Sequence, residues 1–218
     1  SWILLEGSHI EASGWGDAPS GDFVRVDAGG AWATPGFIDL HCHGAGGRAF
    51  DDGAEAISAA RAVHRSHGTT RSVLSLVTAP LELMAQRLET IAELCEGDET
   101  LLGAHLEGPF LSVGHRGAHD PALLQDPAPE AVARLLDAGH GHIAQVTLAP
   151  ERDGALEAIG QFVQAGVRVA VGRTTAGYGE ASAAFDRGAT ILTHAFNGMD
   201  DMLHRKPGPL PEAVEHTG

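Results

Sequence analysis

From residue 36 onward the chain is punctuated in a way that few folds accommodate. Short apolar runs alternate with amphipathic stretches, and Gly68, Gly97, Gly139, Gly166 and Gly188 stand where the helical stretches should stop. The runs at 36–43, 70–77, 101–106, 143–148, 167–171 and 189–193 are predicted strands. Between them the spacing predicts helices at 80–96, 129–138 and 155–165. The first places Leu81, Met84, Leu88, Ile91 and Cys95 on one stripe, and Pro80 and Pro129 suit first turns. Strands bracketed by helices pair in parallel through right-handed crossovers. Six such units at regular spacing predict an α/β fold, a TIM-type (β/α) barrel. A full barrel takes eight units and roughly 250 residues. Only about 180 residues follow Pro35, so an incomplete barrel of about six strands is expected, its exposed sheet edges prone to aggregation. Residues 1–35 differ in texture, with an apolar run at 2–5 and an alternating, strand-like segment at 23–27.

Charge excludes some partners. With 14 basic and 29 acidic residues the formal net charge is −15, which argues against nucleic acid or an anionic membrane. No apolar run approaches the roughly 18–20 residues of a membrane span. Cys42 and Cys95 form no disulfide framework, and cytoplasmic residence is expected. The 13 histidines point to metal chemistry.

In such a barrel, chemistry sits at the C-terminal ends of the strands. The first predicted strand ends in Asp39-Leu40-His41-Cys42-His43-Gly44. Strand alternation puts His41 and His43 on one face, able to reach one cation, and turns Cys42 away. The third ends in His105-Leu106-Glu107-Gly108-Pro109, with the polar loop His115-Arg116-Gly117-Ala118-His119 beyond it. The sixth ends in Thr193-His194-Ala195-Phe196-Asn197, and His204-Arg205-Lys206 follows as a local anion site in an acidic chain. The fifth ends in Gly172-Arg173-Thr174, and an arginine cannot shed its proton to ligate a metal.

These segments, in order and over essentially the whole chain, resemble the N-acetylglucosamine-6-phosphate deacetylases of the amidohydrolase superfamily. The resemblance is carried by Pro35-Gly36-Phe37-Ile38-Asp39-Leu40-His41-Cys42-His43-Gly44, by His105-Leu106-Glu107-Gly108-Pro109-Phe110 with Gly117-Ala118-His119, and by Thr193-His194-Ala195-Phe196-Asn197-Gly198-Met199 with Arg205. It implies part of a small β-sandwich in residues 1–35 and a metal-dependent hydrolase barrel in 36–218. It implies hydrolysis of N-acetylglucosamine 6-phosphate to glucosamine 6-phosphate and acetate. Glu107 and His194 match metal ligands, and His41 and His43 match ligands of a further ion. His119 matches a catalytic, substrate-contacting residue, and Ala195, Asn197 and Arg205 match substrate-binding positions. The implied cofactor is a divalent metal, zinc foremost, with iron(II) or manganese(II) as alternatives. The implied partner is a phosphorylated amino sugar, and a homodimer or higher homo-oligomer is expected. Two departures stand out: Arg173 replaces a ligand histidine, and the family's catalytic Asp of the eighth strand has no counterpart in the chain. Arg173 is therefore expected to leave at most one tightly held metal, on His41, His43 and Glu107. Two other readings compete. One is another C–N hydrolase of the superfamily, disfavoured because residues 143–150 lack the bridging Lys many of those use. The other is a catalytically impaired sugar-phosphate binder.

Overall fold

The computed structural model describes residues 1–7 and 9–216. The chain divides into two compact units, Ser1–Pro35 and Gly36–Gly218.

In the first unit, β1 (Trp2–Glu6) and β2 (His9–Gly14) form an antiparallel pair with its register irregular between Leu4 and Leu5. Gly14 pairs with Trp2 and lies under its ring; a Cβ there would sit 2.6 Å from the indole, so a side chain would have to displace the ring. The strand predicted at 23–27 is not formed. Val24 and Val26 are 96% and 87% exposed. Alternation marks a strand only where a neighbouring strand supplies its hydrogen bonds, and none pairs with this segment among the described residues.

The second unit begins with β3 (Phe37–Cys42) and a small antiparallel pair, β4 (Gly44–Ala45) and β5 (Arg48–Ala49). It continues through α1 (Ala54–Ser66), β6 (Thr69–Val77), α2 (Leu81–Gly97), β7 (Leu101–Glu107), α3 (Pro129–Gly139) and β8 (Ile143–Leu148). It finishes with α4 (Ala155–Gln164), β9 (Arg168–Val171), α5 (Tyr178–Asp186), β10 (Ile191–Leu192) and α6 (Leu210–Glu215). Six strands make one parallel sheet in the order β10-β9-β8-β7-β6-β3, so each new strand pairs with the one before it in the sheet. This is a curled half-barrel with helices, as the alternation of runs and amphipathic stretches predicted. Helices α1, α5 and α6 were not among the predicted ones. No described helix is long and apolar enough to cross a membrane.

The sheet has two chemically different faces. Leu74 and Leu76 of β6, Ala104 and Leu106 of β7, Val146 and Leu148 of β8, and Val169 and Val171 of β9 share one hydrophobic cluster with Met84, Leu88, Ile91, Val132, Leu135, Ile159 and Phe162 of the helices. At about 25 cal/mol per Å² of apolar surface removed from water, this layer supplies the main stabilisation of the sheet. The alternate residues Ser75, His105, Gln145 and Thr147 are equally buried but polar, and they line the opposite face. The functional side chains project from that face. At one edge, Phe37, Ile38 and Leu40 of β3 are more than half exposed.

Candidate functional site

The polar face is wired as a chain. His105 lies fully buried, its Nδ1 2.9 Å from Ser75 Oγ and its Nε2 2.8 Å from Thr147 Oγ1, which in turn lies 2.9 Å from Thr193 Oγ1. These contacts tie β6, β7 and β8 to the segment after β10, directly below the strand ends. Burial, then the nearby His41, push the His105 imidazole down to about 3. Its ring packs edge-on to His41 at 4.6 Å between centroids. His105 is thus a neutral pillar under His41, a role that sequence reasoning did not assign. The signal was available: His105 and Glu107 are two apart on one strand and share a face, as His41 and His43 do.

Glu107, the last residue of β7, is the centre of the site. Only 1% of its side chain is exposed. Its Oε2 lies 3.2 Å from His41 Nε2 and 2.8 Å from His43 Nε2, and the two imidazole nitrogens are 3.3 Å apart. Its Oε1 lies 2.8 Å from His194 Nε2 and accepts from Arg173 Nε at 2.5 Å. Burial alone would push this carboxyl up. The hydrogen bonds from His119, His41, His43 and Arg173 outweigh burial and hold it far below the usual carboxylate range. Glu107 is therefore a buried anion with two close partners at each oxygen.

Loops around the strand ends fix these groups. His119 accepts at Nδ1 from the Thr78 backbone N–H at 3.3 Å and lies 2.8 Å from Thr78 Oγ1. This directs its Nε2 toward Glu107 Oε2, 3.7 Å away. Glu151, just past β8, accepts from Thr174 Oγ1, and from Thr175 N and Oγ1 at 2.7 and 3.0 Å. It pins the turn that follows Arg173, and no sequence motif singled it out. Arg173, His194 and Phe196 all have positive φ, at 49°, 53° and 70°. Three non-glycine residues in that sparsely used region mark a strained rim, a pattern that concentrates at functional sites.

Of the residues selected from sequence, His41, His43, Glu107, His119 and His194 come together. Cys42 faces the apolar side of the sheet, where burial and Asp39 push its thiol up to about 12. Ala195 and Asn197 sit beside His194, with Asn197 Nδ2 3.4 Å from the Ala195 carbonyl. Arg205 is exposed at the tip of a turn closed by Leu203 N to Lys206 O at 2.9 Å and the reciprocal bond at 3.0 Å. Among the described residues, no hydrogen bond or ion pair joins it to the Glu107 cluster.

His41, His43 and Glu107 fit a divalent ion. Two imidazole nitrogens and a carboxylate oxygen converge within 4.8 Å, a set used by catalytic zinc. A second group, Asp39, Cys42 and His64, also brings its ligand atoms within 4.8 Å of one another. There the thiol is held protonated and the donors are already satisfied by Asp39 and by the Gly44 carbonyl, 3.2 Å from His64 Nε2.

No protein-family profile matches the chain. Over 178 residues, 80% of this chain, it is 36% identical to an N-acetylgalactosamine-6-phosphate deacetylase of Escherichia coli O157:H7. Over 190 residues, 84% of the chain, it is 37% identical to an N-acetylglucosamine-6-phosphate deacetylase of Bos taurus. It covers 47% and 46% of those two proteins, so it spans about half the length of the curated relatives it matches. Among solved structures it is similar to N-acetyl-D-glucosamine-6-phosphate deacetylase from Mycobacterium smegmatis, with TM-score 0.80 and 48% identity over 83% of this chain and 48% of that one. A variant of that protein was solved in complex with N-acetyl-D-glucosamine-6-phosphate. The corresponding protein of Pasteurella multocida gives TM-score 0.77 at 31% identity, again over 83% of this chain and 48% of that one.

Proposed function

We propose that this chain, which resembles the N-acetylglucosamine-6-phosphate deacetylases, carries the metal-binding face of an amide hydrolase acting on N-acetylglucosamine 6-phosphate, releasing acetate and glucosamine 6-phosphate. The observation that carries this reading is the convergence of His41, His43 and Glu107 at the C-terminal end of a parallel sheet, where a (β/α) barrel performs its chemistry. His41, His43 and Glu107 would hold the ion, most suitably zinc. The chemistry it supplies when bound is Lewis acidity toward the acetamide carbonyl and a water nucleophile available near neutral pH.

The chain's own residues account for the rest. His119 is locked by Thr78 as an Nε2–H donor, so it can hydrogen-bond the acetamide oxygen or a sugar hydroxyl at the rim of the cluster. His105 keeps the His41 ring upright without competing for protons at neutral pH. Ala195 and Asn197 lie on the turn beside His194 and offer backbone and amide groups to the sugar. Arg205, with His204 and Lys206, would hold the 6-phosphate by charge-assisted hydrogen bonds, and that remote attraction can be used to place the acetamide over the metal-binding residues. Residues 1–35 would contribute to a small β-sandwich, and 36–218 to a barrel that closes with further strands. The reading also includes a cytoplasmic homo-oligomer.

The test is acetate release from N-acetylglucosamine 6-phosphate, N-acetylgalactosamine 6-phosphate and unphosphorylated N-acetylglucosamine. Preference for a 6-phosphate supports the reading, and equal use of the unphosphorylated sugar overturns it. One observation favours a second reading, a sugar-phosphate binder without turnover: the Arg173 guanidinium sits on the carboxylate the ion needs. Binding of N-acetylglucosamine 6-phosphate with no acetate released would select it.

A further inference from the structure

Glu107 divides its two oxygens between two kinds of partner. Oε2 faces only imidazoles, those of His41, His43 and, further off, His119. Oε1 faces His194 and a guanidinium. That guanidinium is not a loosely placed surface group. Its Nε donates to Oε1, its NH2 lies 3.1 Å from His194 Nε2, and its NH1 lies 3.4 Å from the His115 carbonyl oxygen. Gly117 makes room for it; a Cβ at Gly117 would sit 2.0 Å from NH1. The peptide group that follows the side chain is held at both its carbonyl and its N–H. The Arg173 carbonyl accepts from Ser112 N at 2.9 Å, and Thr174 N donates to Gly198 O at 3.0 Å. Only 17% of the side chain is exposed.

A carboxylate oxygen and an imidazole nitrogen 2.8 Å apart form half of a metal site by themselves. Here the group that meets both is a permanent cation that cannot dissociate. From this geometry we infer that Arg173 acts as a built-in counter-cation, filling the position beside Glu107 Oε1 and His194 Nε2 so that the site accepts one divalent ion, on the Oε2 side, instead of two. The inference rests on the reading of His41, His43 and Glu107 as a metal site. The guanidinium satisfies Oε1 with a directed hydrogen bond, and its NH2 stands 3.1 Å from His194 Nε2, the nitrogen a second ion would need. It also places a fixed positive charge where a second ion would have to approach. His194 is thereby a partner of Arg173 rather than a ligand. Single-metal stoichiometry then follows from a side chain whose charge is permanent.

The test is a cobalt(II) titration of the metal-free chain, followed by visible absorbance, with bound metal counted after desalting. The parent is expected to saturate at one equivalent. Arg173→His supplies an imidazole in place of the cation, and histidine is among the side chains that tolerate the positive φ of this position. It is expected to saturate at two. Arg173→Asn, also tolerant of that conformation and neutral, is expected to take a second equivalent more weakly, and it serves if the histidine variant does not fold. In the Arg173→His background, His41→Ala with His43→Ala should leave one equivalent, whereas the same pair in the parent should leave none. A parent that binds two equivalents, or variants that both stop at one, would overturn this inference while leaving the metal site itself standing. A chain that takes up no metal in parent and variants alike would overturn both.

Discussion

Replacing Glu107 by glutamine tests whether this buried carboxylate stabilises the fold or is merely tolerated by it. The substitution keeps shape and one carbonyl oxygen but removes the charge. Arg173 would keep a neutral acceptor, yet its guanidinium, only 17% exposed, would lose its counter-charge. Removing one partner of a buried ion pair costs about 3–5 kcal/mol, because the surviving charge stays desolvated. The retained carbonyl places the expectation at the lower end, about 3 kcal/mol, or a fall in Tm of roughly 6–12 °C for a unit of this size. The opposing effect is the cost of burying the carboxylate in the first place. The direction of its pKa shows which dominates: burial pushes it up, hydrogen bonds from the histidines and Arg173 pull it down, and the net displacement is downward. The folded state therefore prefers the ionised form. The pH window follows from that sign. A carboxylate with a depressed folded pKa contributes stability above its ordinary value near 4.3 and loses it as pH falls below that value. The difference between parent and Glu107→Gln should be flat above about pH 5.5 and shrink by up to about 1.4 kcal/mol per pH unit below about 4.3. Urea unfolding in EDTA, from pH 8 to pH 3, reads this directly. Zinc at about 100 times its Kd should then raise the parent's stability by about 2.7 kcal/mol and leave the variant nearly unchanged. A Glu107→Gln protein as stable as the parent in EDTA at pH 7 would refute the argument, since burial would then outweigh the pairing.

Three further expectations bear on separate parts of the molecule. Arg205→Ala should lower kcat/KM for the 6-phosphate sugar by roughly 10- to 150-fold, the loss of one charged hydrogen bond of about 1.5–3 kcal/mol, without changing Tm; an equal loss on the unphosphorylated sugar would show that Arg205 does not read phosphate. Gly103 has φ +122° and a Cβ there would meet the His142 carbonyl oxygen at 2.4 Å, so Gly103→Ala should destabilise by about 3 kcal/mol in urea melts, and a neutral effect would disprove the close approach of these segments. His105, pushed down to about 3, should show no NMR titration of its ring between pH 8 and 4; because the unfolded chain takes up that proton near 6.5, this group removes stability progressively as pH falls from 6.5 toward 3, and a ring that titrates near 6.5 in the folded protein would contradict its burial.

What was legible in the sequence depended on how local the determining physics is. The strands from β6 to β9 were predicted to within a residue at most ends, because a strand buried on both faces must be a short run of apolar and small residues bounded by breaks. Helices α1 and α5 left a fainter trace. They bury Ala56, Ile57 and Ala60, and Ala181, Ala184 and Phe185, so their packing faces are mostly alanine and carry little hydrophobic contrast. Gly68 and Gly188 nonetheless marked their ends. The sixth strand shortened from the predicted 189–193 to Ile191–Leu192 because β10 lies at the sheet edge and β9 alone supplies its ladder. At 23–27 the alternating pattern misled outright, since pairing is a property of two segments and only one was visible.

The site shows the same division. His-x-His and a strand-terminal glutamate announce themselves because strand alternation is local, and the same rule should have drawn in His105. What could not be read locally is who faces whom across the sheet. From sequence, Arg173 is a non-ligand in a strand-end slot; in the structure it is the strongest partner of Glu107 Oε1 and shares His194 with it. That relation is set by the positive-φ turn at Arg173, by Glu151 pinning Thr174 and Thr175, and by the space at Gly117, contributions from three separate stretches of chain. A carboxylate surrounded by several cationic or ligating groups must distribute its two oxygens among them, and the distribution decides the chemistry. Here Oε2 and its two imidazoles are left for an ion, and Oε1 is committed to the chain's own guanidinium. Any change that frees Arg173 from that turn, even far from Glu107, should therefore alter how much metal the site holds before it alters how the substrate is held.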